Sequence, residues 1–213
     1  MMLKDTLHEL NIPLSVIKAN LQMLSMGDKD EKRVKKYKRI ESACEDLYSL
    51  YKDVDYYIKK EIKREIREEF LIDEIIKKEV DKLYAIKDDI VINFKPTNVS
   101  IYCDKRGFSK TIGNLLANSL KYNRDNNPID IYMEDSSLFI KDRGIGMSEA
   151  ELFMVFDRYY QGNKGKAGFG IGLNMVKSFC DEHKIFIHIE SKKNEGTTVS
   201  LDLKNVIRGG EAS

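Results

Sequence analysis

Apolar residues at Leu3, Leu7, Leu10, Leu14, Ile17, Leu21 and Leu24 fall at alternating spacings of four and three. That rhythm keeps one stripe of a helix apolar along its whole length, as in a seam between packed helices. After a polar break at Gly27-Asp-Lys-Asp30, a second seam runs through Tyr37, Ile40, Cys44, Leu47, Tyr51, Val54 and Ile58. Two such helices joined by a short loop predict an antiparallel hairpin. A lone hairpin leaves apolar flanks uncovered, so pairing with a second copy into a dimeric four-helix bundle is expected. Pro13 lacks an amide hydrogen and predicts a local bend in the first helix.

Beyond the mixed-charge run from Lys59 to Glu69 the pattern changes. Phe70-Leu-Ile72 opens a second region, with a helical period from Asp73 to about Ile86 and further helices over Lys105 to Tyr122 and Leu173 to His183. Strand-like runs occupy Ile90 to Phe94, Ile129 to Glu134, Leu138 to Lys141, Ile185 to Glu190 and Thr197 to Leu203. Paired strand runs between helices predict a mixed sheet with helices on one face. The fold expected is α+β: a helical hairpin over residues 1–66 and an α/β sandwich over 67–213. Gln161 to Ala167, rich in glycine and lysine and short of apolar anchors, predicts a flexible loop.

The candidate chemistry lies in the second region. Asn114, Asn118, Lys121 and Tyr122 share one helical stripe, because offsets of four, seven and eight stay on one side of an α-helix. Side-chain amides ligate Mg²⁺ without adding negative charge beside a triphosphate, and a lysine can meet phosphate as a point charge. Tyr122 offers its ring either to a nucleotide base or to the core. Asp142 follows a strand and could accept a hydrogen bond from an adenine amino group, while Gly144 and Gly146 permit close backbone approach. Gly168, Gly170 and Gly172 precede a helix whose exposed first amides favour phosphate. No G-x-x-x-x-G-K-[ST] is present, and Leu173 stands where a G-x-G-x-x-G run needs glycine, which disfavours P-loop and Rossmann enzymes.

Taken in order, these segments resemble the bacterial sensor histidine kinases, whose ATP-binding domain belongs to the group that includes gyrase, Hsp90 and MutL. Asn114 to Tyr122 is similar to the N box, Asp142-x-Gly144-x-Gly146 to the first glycine box, and Gly168-x-Gly170-x-Gly172-Leu173 to the second. Phe153 to Tyr160 resembles the phenylalanine box of a mobile lid, and Gly196-Thr-Thr198 the final box. His8-Glu-Leu-Asn-Ile-Pro-Leu14 resembles the phosphoacceptor box. The resemblance implies ATP and Mg²⁺ as cofactors, with Asn114 and Asn118 facing the metal. It implies a nucleotide site completed by Lys121, Tyr122, Asp142, Gly144, Gly146, Arg158, Gly168, Gly170, Gly172, Leu173 and Thr197. His8 is the implied phosphoacceptor, Glu9 its general base, and the receiver domain of a response regulator the phosphoryl acceptor that follows. Asn11 and Ile12 depart from the family, which carries a basic residue and a Thr or Asn there; isoleucine cannot position water, so weak or absent phosphatase activity is expected.

Bulk properties limit the alternatives. Thirty-six basic and thirty-five acidic residues leave a net charge of +1, which gives no field for nucleic acid or for acidic membranes. The scattered Cys44, Cys103 and Cys180 predict reduced thiols in a cytoplasmic setting rather than disulfides or zinc. No apolar run approaches the ~20 residues that cross a bilayer, so no membrane contact is expected from this chain itself. Seven residues precede His8, so any sensory input region would lie outside it, as in the soluble core of a membrane-bound sensor. Two other readings share the same fold: an ATPase or serine kinase without histidine phosphorylation, and a non-catalytic dimeric scaffold.

Overall fold

The computed structural model describes residues 2–25, 30, 32–41, 43, 44, 47, 66–85, 87, 89–124, 127–156 and 172–208. Internal contacts divide the chain into two units, one built on Met1–Arg64 and the other on Glu65–Gly162 with Gly172–Ser213.

The first unit contains helix α1, Met2–Ser25, which runs through Pro13, and helix α2, covering residues 32–41. Leu21 and Cys44, one from each seam, are buried. Ile17, Leu24, Ile40 and Leu47, from the same seams, are exposed at 42–54%. Most of the second seam lies outside the described residues. No helix among the described residues is long and apolar enough to cross a membrane.

The second unit begins with β1, Arg67–Leu71, and α3, Ile72–Tyr84, followed by β2, Ile92–Phe94, and β3, Ser100–Asp104. Then come α4, Lys105–Tyr122, the hairpin β4, Ile129–Glu134, and β5, Ser137–Asp142, and the short α5, Glu149–Met154. Helix α6, Gly172–His183, leads to the closing hairpin of β6, Phe186–Lys192, and β7, Gly196–Asp202. Five strands form a sheet in the order β2-β4-β5-β7-β6, parallel at β2–β4 and antiparallel elsewhere, so the sheet is mixed. β1 and β3 make a separate antiparallel pair, an element the apolar pattern does not announce.

Alternation along the strands shows which face is covered. Ile129, Ile131, Leu138, Ile140, Val199 and Leu201 are buried, whereas Tyr132, Phe139 and Ser200 between them are only partly so. The buried face meets α4 and α6, and α4 also packs on α3. Phe108, Ile112, Leu115 and Leu116 of α4 are at most 2% exposed, so this helix is the centre of the core. Its axis can approach α6 because residue 107 is glycine: a Cβ there would lie 2.6 Å from the Phe179 ring. Asp73 fixes the start of α3 by accepting from the backbone N–H groups of Thr97 and Asn98 and from the Thr97 hydroxyl.

Candidate functional site

Helix α4 presents Asn114, Asn118, Lys121 and Tyr122 on a half-buried face, with Ala117 exposed among them, while Leu115, Leu116 and Ser119 turn into the core. Asp104 caps the helix by accepting from the Arg106 N–H at 3.0 Å, which sets the phase of this stripe. Asn114 Nδ2 donates to the Gly172 carbonyl at 3.4 Å, tying the polar face to the first residue of α6. A Cβ at Gly172 would meet nothing closer than 3.8 Å, so this corner has room. The Lys121 ammonium lies 5.1 Å from the centroid of the Tyr122 ring.

Asp142 ends β5 on the covered face of the sheet and is 6% exposed. Its Oδ1 accepts from the N–H of Gly144 at 2.9 Å and of Thr197 at 3.2 Å, and its carboxylate also accepts from Ser119. Burial pushes the Asp142 carboxyl above its ordinary range; the three donors oppose that shift only in part. A carboxylate has about four lone-pair sites, so three donors leave capacity for one more. That remaining acceptor, buried and framed by glycines, fits the amino edge of a purine.

The glycines of this loop hold the chain against itself. A Cβ at Gly144 would lie 2.2 Å from the Tyr122 carbonyl oxygen, at the end of α4, where the Ile145 N–H donates at 3.0 Å. At Gly146, with φ of +59°, a Cβ would come within 2.0 Å of the Lys192 carbonyl oxygen. The close approach expected from the sequence is therefore to α4 and to the β6–β7 turn. Their contribution is to press the Asp142 loop onto the asparagine helix.

Leu173 is half-buried and packs against the core, and Thr197 sits directly opposite Asp142 in the β5–β7 register. Arg158, Gly168 and Gly170 lie outside the described residues, as does the glycine- and lysine-rich segment 161–167. His8 and Glu9 lie within α1, but their side chains are outside the described set. Two residues that matter to Asp142 and its loop were not read from the sequence: Ser119 and Ser191. Ser119 carried a signal, because a hydroxyl four residues from Leu115 on the buried stripe needs a buried partner. Ser191 carried none.

The family described as "Histidine kinase-, DNA gyrase B-, and HSP90-like ATPase" matches residues 103–207, from β3 to the end of the second unit's last turn. This region belongs to that family. Sensor histidine kinase YvrG of Bacillus subtilis is 33% identical over 123 residues, covering 54% of this chain and 21% of its own length. Heme sensor protein HssS of Staphylococcus saprophyticus is 26% identical over 209 residues, covering 93% of this chain and 45% of its own length. The chain thus spans less than half of either relative. The structure of full-length ShkA in complex with AMPPNP shares the fold, with a TM-score of 0.67 at 15% identity over 98% of this chain and 46% of that one. The match to this ATPase family supports ATP binding by the region of residues 103–207.

Proposed function

We propose that the chain is the catalytic core of a two-component sensor histidine kinase, which phosphorylates His8 from ATP and passes the phosphoryl group to an aspartate of a response regulator. The observation that carries this reading is the buried Asp142 acceptor beside the Asn114–Asn118 face, within a domain of the histidine kinase ATPase family. Relatives named as histidine kinases, ArlS of Staphylococcus haemolyticus and WalK of Bacillus subtilis, match more than nine-tenths of the chain, so the likeness reaches beyond the ATP-binding region into residues 1–66.

Asp142 accepts from the purine amino group, and Lys121 with Arg158 offsets phosphate charge. The amides of Asn114 and Asn118 would hold Mg²⁺; the bond from Asn114 Nδ2 to Gly172 leaves its Oδ1 available to a cation. Bound Mg²⁺ would supply charge neutralisation on the phosphate oxygens. The unprotonated ring nitrogen of His8 forms the new N–P bond as the bond from the γ-phosphorus to its bridging oxygen breaks and ADP leaves. The remaining ring proton passes to Glu9. An imidazole with an ordinary pKa of ~6.5 is largely neutral near pH 7, so no strong activation is required.

Residues 1–66 act in this reading as the phosphoacceptor hairpin and 67–213 as the ATP-binding region. Four seam residues exposed in the single chain, Ile17, Leu24, Ile40 and Leu47, support closure of the hairpin into a homodimer.

The test is incubation with γ-labelled ATP. Label stable in base and labile in acid, transferable to a receiver domain, is expected; acid-stable label, as on a serine, would favour the serine kinase alternative. Asn118→Ala is expected to remove the Mg²⁺ dependence of ATP binding, and calorimetry showing it unchanged would refute the ligand role.

A further inference from the structure

Ser191, near the end of β6, has three polar neighbours within hydrogen-bond reach. The Met147 N–H donates to its Oγ at 2.8 Å, its Oγ lies 2.9 Å from the Gly196 carbonyl oxygen, and the Thr197 Oγ1 lies 2.9 Å away. Counting protons fixes the direction of each bond. A carbonyl oxygen cannot donate, so the single Ser191 hydroxyl proton goes to Gly196. The bond between the hydroxyls must then use the proton of Thr197. Ser191 is thereby saturated, with one bond donated and two accepted, and Thr197 Oγ1 is left with lone pairs alone.

This matters because Thr197 stands beside Asp142: the two are register partners, and the Thr197 N–H bonds the carboxylate. We infer that Ser191 is a specificity-determining positioning residue, locking the Thr197 hydroxyl as an acceptor so that the pocket selects a 6-amino purine over a 6-oxo purine. The inference rests on the proposed placement of the base at Asp142. An adenine amino group donates and finds acceptors at both positions, directly or through one water. The O6 of hypoxanthine or guanine finds no hydroxyl donor at Thr197. Without Ser191 the Thr197 hydroxyl can rotate and donate to O6.

The measurement is calorimetric binding of ATP and ITP to the full chain, since ITP differs from ATP at the 6-position and the adjoining N1 proton. In Ser191→Ala the ratio of ATP to ITP affinity should narrow by about tenfold, the scale of one hydrogen bond, with ITP binding strengthened. Ser191→Thr keeps the hydroxyl and should restore the original ratio, which a general loosening of the loop would not explain. Thr197→Val is independent of Ser191: it should weaken ATP and leave ITP unchanged. An unaltered ratio in Ser191→Ala, or a Thr197→Val variant that loses ITP binding more than ATP binding, overturns the inference. Asp142→Asn separates the two levels of the argument. If it abolishes ATP binding while the Ser191 and Thr197 variants keep the original ratio, the base site stands and the role of Ser191 falls; if ATP binding survives it unchanged, the base placement itself is wrong.

Discussion

Burial of the Asp142 carboxylate comes at a cost to folding, and the proposed function gives it a use in binding. Its pKa is raised in the native state from an ordinary value near 3.8, so the native state keeps a proton to higher pH than the unfolded chain does. The associated stability is fully present below the unfolded value and is lost as pH rises through the raised native one. Asp142→Asn does not titrate, so its urea midpoint should gain on the wild type across that window while ATP binding is lost. A stability difference that does not vary with pH would contradict this account. The place of Asp142 at a strand end before two glycines was legible in the sequence. The serines around it were mostly hidden, since the contacts 119–142 and 147–191 join positions far apart in sequence that only the sheet register brings together.

At the level of elements, the site is only as well defined as the seating of α4 between α3 and α6. Gly107 lets α6 approach, whereas Gly113 faces the Glu79 carboxylate, where an added Cβ would lie 3.0 Å from Oε2. Gly107→Ala must displace a core ring and is expected to lower stability by about 1–3 kcal/mol, the usual cost of overpacking. Gly113→Ala meets the end of a side chain and should cost less. Urea unfolding of both variants checks the order, and a smaller loss at residue 107 would contradict the packing argument. The long helices and the β4–β5 and β6–β7 hairpins were legible to within about two residues, because their apolar periods extend over enough positions. The pair β1–β3 was not, because Ser100–Asp104 offers only Ile101 and Cys103 as inward apolar residues. Helix α5 was passed over although Ser148 and Glu151 form a reciprocal capping box at its start.

For the whole molecule, the sequence already separates a seam-bearing helical region from a nucleotide-binding one, and the structure divides the chain into two units. The proposed chemistry uses a residue of each region. The most direct test measures ATP binding and phosphate incorporation together in the wild type, His8→Gln and Asp142→Asn. His8→Gln is expected to bind ATP as the wild type does yet incorporate no label, and Asp142→Asn to do neither. Label persisting in His8→Gln would place the acceptor on another residue and contradict the central claim.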